Sequence, residues 1–343
     1  MQAVVVTEKG QVQVKKIDKP RAGKDEIVVK TCAVALNPTD WKHRDFISPP
    51  GSILGCDYAG IVSEVGEGVT NVKEGDRVAG VVHGGRIEFN EGAFAEYVKA
   101  MAPLVWKVPE SVSWQEAAAS GGIGPLTAVQ ALYLRHGLNE PSEPSKENLP
   151  VLVWGGTSSV GLYAIQLLKL SGYTVIATAS EKNWDLLKSL GATSTYDYSD
   201  PDVSDKIASD YPDLSIGFDC ISENGTTYLT AKSFKSGKGK IVTLLPVEDD
   251  RLKEVPNVEI EPTLMYTIFG RPFDMRRHFE AMPEDKTAIA KWLAESMPHL
   301  MGSGQLKSNP VLSREGGLEG INEGLEFVKA GKNRAQKLVY TLN

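Results

Sequence analysis

The chain predicts a mixed fold, α/β plus β-rich, in which a partly open β-barrel is interrupted by an inserted doubly wound parallel sheet. Three observations in its 343 residues point there. The first 125 residues are short β-branched runs separated by polar, glycine-containing turns. From Leu149 onward, apolar runs alternate with stretches of helical periodicity, the pattern of a parallel sheet with crossover helices. The last run, Lys337–Leu342, is strand-like again, so a chain that left the β-rich domain returns to it to finish. With 41% hydrophobic residues there is enough apolar material for two ordinary cores. The expected boundaries are 1–125 for the first part of the β-rich domain, 126–265 for the parallel sheet and 266–343 for the return.

In order along the chain, strands are expected at Val4–Thr7, Val12–Lys16, Ile27–Ala35, Ala59–Val65, Arg77–Val82 and Phe94–Lys99. Turn signals such as Glu8-Lys9-Gly10 and Lys73-Glu74-Gly75-Asp76 divide them. Past a polar, Pro- and Ser-rich surface excursion at His136–Asn148, strands at 151–154, 174–179, 194–198, 215–219 and 239–245 alternate with helices near 159–171, 183–190, 203–211 and 226–234. Residues 258–268 belong to the edge of that sheet, where Pro262 interrupts pairing; a monomer and a homodimer are both compatible with this edge. Trp292, Met297 and Leu300, at helical spacing or near it, read as core.

A net charge of −7 argues against a nucleic-acid binder, which presents a basic face. No apolar run approaches the roughly 20 residues that span a bilayer, and the N-terminal Met1–Val6 reads as a strand rather than a signal peptide. The expectation is a cytoplasmic protein with neither membrane nor nucleic acid as partner. Cys32, Cys56 and Cys220 are too few and too scattered for a disulfide framework.

Chemistry concentrates where the strand Val151–Trp154 runs into Gly155-Gly156-Thr157-Ser158-Ser159-Val160-Gly161 and then a helical segment. Such a turn brings backbone N–H groups and a helix N-terminus to a pyrophosphate. Gly156, Ser158, Ser159, Val160 and Gly161 are the candidate contacts, with Ser158 and Ser159 standing where the usual fingerprint carries glycine. The bland alternative is an ordinary βα turn. Some twenty residues on, an enzyme using NAD presents Asp or Glu to the ribose 2′-hydroxyl. Here the second strand ends at Ala179-Ser180 and is followed by Glu181-Lys182-Asn183. Ser180, Lys182 and Asn183 suit a 2′-phosphate, so the cofactor expected is NADPH, provided that Glu181 points away; Lys182 as a plain surface lysine is the alternative. Thr243 and Leu244, ending the fifth strand, are expected near the nicotinamide, because ligands sit beyond the carboxyl ends of such strands.

The order of parts, with Gly55-Cys56-Asp57-Tyr58-Ala59-Gly60 and Gly75-Asp76-Arg77-Val78 in the β-rich domain, resembles the medium-chain dehydrogenase/reductase superfamily over nearly the whole chain. Ala35-Leu36-Asn37-Pro38-Thr39-Asp40-Trp41-Lys42, Gly92-Ala93-Phe94-Ala95-Glu96-Tyr97 and Val153-Trp154-Gly155-Gly156-Thr157 look most like its zinc-independent quinone-reductase-like branch. More narrowly they resemble fungal trans-acting enoyl reductases and yeast zinc-alcohol-dehydrogenase-like proteins. The resemblance implies a GroES-like barrel domain with an inserted Rossmann domain. It also implies that Thr39, Asp40, Trp41 and Lys42 contact the cofactor near its reactive end, that Tyr198 lies near the 2′-phosphate, and that Lys337 closes over the cofactor. The chain departs from the last motif, with Arg334-Ala335 for Ser-Gly. Two residues emerge as catalytic candidates. Lys42 has a charge and three N–H donors for a substrate oxygen, and Thr127 corresponds to a threonine at the interdomain cleft of that branch, or is a helix-interior threonine bonded to its own backbone.

Zinc members of the superfamily have Cys where this chain has Asn37, and Gly-His-Glu where it has Gly55-Cys56-Asp57. Three protein ligands are needed for a catalytic zinc, and only Cys56 and Asp57 remain, so no metal is expected; His83 reads as a loop histidine. Negative charge developing on a substrate oxygen must then be met by hydrogen-bond donors. The function expected is NADPH-dependent, zinc-independent hydride transfer to an activated C=C (enone or enoyl) or C=O (quinone or aldehyde) of a small substrate. One alternative is an enoyl reductase working in trans on the acyl-carrier-bound substrate of a polyketide synthase; the other is a non-catalytic NADPH-binding regulatory protein. The basic run Phe273-Asp274-Met275-Arg276-Arg277-His278 reads as a solvated loop or as a surface for an acidic carrier.

Overall fold

The computed structural model describes residues 1–275 and 277–342, and the chain divides into two compact units. Unit 1 joins Met1–Ile123 to Tyr266–Asn343, and unit 2 is Gly124–Met265.

The N-terminal part opens with a hairpin of β1 (Gln2–Glu8) and β2 (Gln11–Lys16), followed by β3 (Glu26–Ala35), β4 (Asp57–Val65), β5 (Arg77–Val81), β6 (Tyr97–Met101) and β7 (Val105–Lys107). The run Ile27-Val28-Val29 and Ala33-Val34-Ala35 makes β3 apolar on both faces, and β3 is the strand most thoroughly surrounded, paired with both β4 and β6. Two residues past its end, Asn37 caps the short helix α1 (Pro38–Lys42): the Asn37 N–H donates to Asp40 Oδ2 at 2.7 Å, and proline fits the first turn, where no N–H is needed. A π-helical turn, His43–Ile47, continues α1. Helix α2 (Trp114–Ala119) corrects the all-β reading of the first 125 residues. Its signal was present in the sequence, a Ser113-x-x-Glu116 capping box in which the Ser113 N–H donates to Glu116 Oε2 at 3.0 Å.

Helix α3 (Ile123–Val129) leads toward the parallel sheet. There β8 (Pro150–Trp154), α4 (Ser159–Leu170), β9 (Thr174–Thr178), α5 (Trp184–Leu190), β10 (Ser194–Tyr196), α6 (Val203–Asp210), β11 (Ile216–Asp219), α7 (Thr226–Lys232), β12 (Lys238–Thr243) and β13 (Asn257–Pro262) follow in turn. The six strands are all parallel in the order β10-β9-β8-β11-β12-β13. Strand order reverses between β8 and β11, and the carboxyl ends of those two strands are where such sheets bind ligands.

The return segment adds the two-residue strands β14 (Phe273–Asp274) and β15 (His278–Phe279), then α8 (Pro283–Gly302), β16 (Val311–Arg314), α9 (Ile321–Lys329) and β17 (Lys337–Thr341). Strand β17 pairs antiparallel with β3 and parallel with β16. It delivers Leu338 and Tyr340 to a core that also holds Val4, Val29, Phe94 and Leu325, so residues from both ends of the chain fill one interior. Trp292, Met297 and Leu300 are buried on α8. Arg276, within the basic run, lies outside the described residues; beside it, Arg277 lies over the Phe279 ring, and His278 Nδ1 is 2.8 Å from Asp274 Oδ1. Among the described residues, no helix is long and apolar enough to cross a membrane.

Candidate functional site

In unit 2 the turn after β8 is built on backbone. Gly155 takes a φ of +79°, a left-handed conformation that favours glycine. The Gly155 N–H donates to Thr178 Oγ1 at 3.0 Å and the Gly156 N–H to the Thr178 carbonyl at 2.9 Å, tying the turn to the end of β9. A Cβ on Gly161 would strike the Gly155 carbonyl oxygen and stand 3.0 Å from Gly156 Cα, so helix and turn approach as only glycine permits. Ser158 caps α4, its Oγ accepting from the Gly161 N–H at 3.0 Å. Ser159 and Val160 then present the opening N–H groups at the positive end of a 12-residue helix.

At the tip of β9, Ala179 is buried and Ser180 half-buried, and Glu181 and Lys182 are both exposed on a single 3-10 turn that ends at Asn183. The Ser180 hydroxyl donates to Tyr198 Oη at 3.3 Å, and the Tyr198 ring is 51% exposed, open to an incoming group. At the end of β12 the geometry corrects one expectation. Thr243 is fully buried, its hydroxyl spent on the Leu245 carbonyl and its own carbonyl on the Thr263 N–H, each at 2.8 Å. Leu244 donates its N–H to Ser222 Oγ at 2.8 Å, and Ser222 donates onward to the Asp219 carbonyl at 2.9 Å. Asp219, buried at the end of β11, accepts from the N–H groups of Ile221 and Ser222 and from the hydroxyls of Thr226 and Thr227. It sets the loop after β11, a role that the Asp-x-x-Ser and Thr-Thr pattern there was able to signal. Thr127 lies almost fully buried on α3.

In unit 1 the fingerprint residues Thr39, Asp40, Trp41 and Lys42 share α1. The half-buried Lys42 holds its Nζ 5.7 Å from the Trp41 ring centroid, and Lys329 Nζ lies at the same distance from that ring. Lys337 is not with them. It is 2% exposed, and its ammonium donates to Asn37 Oδ1 and, at 3.0 Å, to Asp57 Oδ2. Asn37 Nδ2 also donates to Asp57 Oδ2, at 2.9 Å, and the Ile123 N–H fills Asp57 Oδ1 at 2.8 Å. The expected cofactor contact of Lys337 gives way to a structural one, because burying Asp57 demands an opposite charge beside it. Asp40, likewise buried, is pushed up to about 7 by burial, with the neighbouring Asp57 charge adding to the shift.

Around this network stand His43, Tyr266 and His83, which sequence reasoning did not select. Thr39 Oγ1 lies 2.6 Å from Tyr266 Oη and 3.1 Å from His43 Nδ1. Tyr266 Oη is 3.8 Å from Cys56 Sγ. His83, fully buried rather than on an open loop, stacks on Tyr266 with centroids 4.1 Å apart and planes 12° apart. Burial holds these groups neutral: His43 falls to about 4, His83 well below its usual range, and Cys56 and Tyr266 rise well above theirs.

Residues 23–110 match the alcohol dehydrogenase GroES-like domain family and residues 159–275 the zinc-binding dehydrogenase family. The chain is 39% identical over 349 residues to the trans-enoyl reductase ACTTS2 of Alternaria alternata, covering 99% of this chain and 98% of that one. This chain belongs to the trans-enoyl reductases of the medium-chain dehydrogenase/reductase superfamily. A second trans-enoyl reductase, resD of Aspergillus sclerotiorum, is 36% identical, with 99% of each chain covered. In fold it matches the quinone oxidoreductase of Pseudomonas syringae (TM-score 0.77, 22% identity, 99% of each chain) and the CurK enoyl reductase (TM-score 0.76, 20% identity, 100% of this chain and 99% of that one). It is therefore an oxidoreductase of the class that works with a nicotinamide cofactor.

The zinc in one family's description can be tested against the donors present in this trans-enoyl reductase. Asn37 is a neutral amide already bonded to Asp57 and Lys337, Asp57 is saturated by an ammonium and two N–H donors, and the Cys56 thiol is held protonated by burial. Such a set does not suit zinc, which wants three deprotonated or neutral lone-pair ligands around one open position. Among the described residues, no three His, Cys, Asp or Glu side chains gather as ligands would. For a dinucleotide the fit is good: a glycine turn with no room for a Cβ, a capped helix N-terminus, and a non-acidic strand tip with hydroxyls facing out.

Proposed function

We propose that this trans-enoyl reductase uses NADPH to saturate the C=C bond of an enoyl thioester, presented by an acyl carrier acting in trans. The observation that carries the metal-free chemistry is the buried Asn37–Asp57–Lys337 network, in which an ammonium ion stands among the groups that a metal would need. Charge developing on the substrate oxygen must then be met by hydrogen-bond donors, and conjugate addition suits that demand because the charge is spread over an enolate. Bound NADPH would supply the hydride to the β-carbon, and solvent water the proton that completes the enolate at the α-carbon. Gly156, Ser158, Ser159, Val160 and Gly161 hold the pyrophosphate; Ser180, Lys182, Asn183 and Tyr198 take the 2′-phosphate, with the hydroxyl pair of Ser180 and Tyr198 and the ammonium of Lys182 as donors. Leu244 borders the nicotinamide through its backbone, held there by Ser222. On α1, Thr39, Asp40 and Trp41 shape the reactive end, and Lys42 donates to the thioester oxygen, with Thr127 as the second catalytic candidate.

The reading is tested by titrating the purified protein with NADPH and NADH and then following cofactor oxidation with an enone, a quinone, an aldehyde, a free enoyl thioester and the same acyl group on a carrier protein. NADPH preference with fastest turnover on the carrier-bound thioester is expected. Faster turnover on the quinone or aldehyde would replace C=C by C=O reduction. Tight NADPH binding with no turnover on any acceptor would make the protein a non-catalytic binder.

A further inference from the structure

The hydrogen bonds around Thr39 favour one direction. His43 Nδ1 lies 2.9 Å from the Thr39 carbonyl oxygen and 3.1 Å from Thr39 Oγ1. A carbonyl oxygen only accepts, so Nδ1 carries the ring proton, and Thr39 Oγ1 is an acceptor toward it. Tyr266 Oη is 2.6 Å from the same Oγ1, and its other partner among the described residues is the Cys56 sulfur at 3.8 Å, a weak acceptor. Oxygen at 2.6 Å is a stronger acceptor than sulfur at 3.8 Å, which favours placing the phenol proton on the bond to Thr39. A hydroxyl oxygen has two lone pairs and one proton. With His43 and Tyr266 filling both lone pairs, the Thr39 proton has no acceptor among the described residues. Thr39 is also the partly exposed member of the trio, whereas Tyr266 and His43 are buried. The Tyr266 ring is held in place by face-to-face stacking on His83, which in turn stacks on Phe269 with planes 10° apart.

We propose that Tyr266 and His43 are positioning residues that turn the Thr39 hydroxyl proton outward, toward the carbonyl oxygen of the bound thioester, and that Thr39 is a catalytic residue through this bond. The inference rests on the enoyl thioester reading above. Both supporting donors stay protonated throughout: burial keeps the Tyr266 phenol and the neutral His43 ring from ionising near neutral pH, so the trio stabilises charge without giving up a proton.

The test uses wild type, Thr39→Val, Thr39→Ser, Tyr266→Phe and the Thr39→Val/Tyr266→Phe double variant with a crotonyl N-acetylcysteamine thioester. Thr39→Val should lower kcat on the order of 100-fold, the scale for one lost oxyanion donor, while moving the NADPH Kd far less than kcat; Thr39→Ser should restore most of the rate. Tyr266→Phe, which keeps the stacked ring, should lower kcat about tenfold, the scale of one hydrogen bond. In the double variant Tyr266→Phe should cost nothing further, since it acts only through Thr39. Independently of turnover, difference infrared spectra of the bound thioester without NADPH should show the carbonyl stretch at lower wavenumber in wild type and Thr39→Ser than in Thr39→Val. An equal Tyr266→Phe penalty in both backgrounds, an NADPH Kd that moves as far as kcat, or a carbonyl stretch identical in wild type and Thr39→Val would overturn the inference. A shifted carbonyl with no NADPH oxidation would sink the reductase reading and leave this one standing.

Discussion

Lys337 and Asp57 lie 280 residues apart in sequence, yet their side chains meet at 3.0 Å in a space that admits almost no water. Removing one partner of such a pair leaves an uncompensated buried charge, which costs about 3–5 kcal/mol. Lys337→Met is accordingly expected to lower the free energy of unfolding by about that much in urea titrations. A normal stability with weakened NADPH binding would instead return Lys337 to the cofactor. The motif that suggested a cofactor contact was legible, but the direction of its lysine was not, because nothing local in Gln336-Lys337-Leu338 distinguishes a lysine that pairs inward from one that reaches out. His83 shows the same limit. Read along the chain it is a loop histidine; in the fold it is fully buried against Tyr266 and Phe269.

At the scale of the element, the turn between β8 and α4 is the part of the site where local sequence and local structure agree most closely. Gly161→Ala should both destabilise unit 2 by about 1–3 kcal/mol, the usual cost of overpacking, and weaken NADPH binding, since the Cβ would force the helix away from the Gly155 carbonyl. Calorimetric unfolding and fluorescence titration would read the two effects; an unchanged affinity would mean that the turn does not hold the dinucleotide. Lys182→Glu is the companion test at the end of β9. Reversing that charge should cut the preference for NADPH over NADH by roughly tenfold, about 1.4 kcal/mol, and an unaltered ratio would make Lys182 a bystander. Helix α2 was missed because overall β texture outweighed a capping box, whereas the site strands were found because β-branched runs bounded by turn residues leave little ambiguity.

For the molecule as a whole, buried histidines set the response to acid. His43 and His136 are lowered to about 4, and His83 well below its usual range, each chiefly by burial, so an unfolding chain takes up protons below pH 6.5 that the folded one refuses. Stability is therefore lost as pH falls from 6.5 toward 4. Asp40 opposes this. Raised to about 7 from 3.8, it keeps a proton in the fold that the unfolded chain releases, and so favours the fold as pH falls through the same window. In unit 1 two histidines stand against one aspartate, and the histidines prevail. Wild type should lose stability between pH 6.5 and 4.5, and Asp40→Asn, lacking the opposing group, should lose it more steeply, by up to about 1.4 kcal/mol per pH unit. Parallel profiles for the two proteins, recorded by urea unfolding across that range, would show that Asp40 is ionised in the fold.

The sequence by itself determined the architecture and the glycine turn after β8. Both rest on interactions within a few residues, namely hydrophobic periodicity, turn chemistry and glycines that leave no room for a Cβ, and these are visible in any window of the chain. Only the tertiary structure decided which polar side chains face one another. Asn37 with Asp57 and Lys337, Thr39 with Tyr266, and Tyr266 with His83 are pairings across 20 to 300 residues. They exist because separate strands and loops close over one interior, where a charge must find its counterion and a hydroxyl its partner or pay the full cost of leaving water.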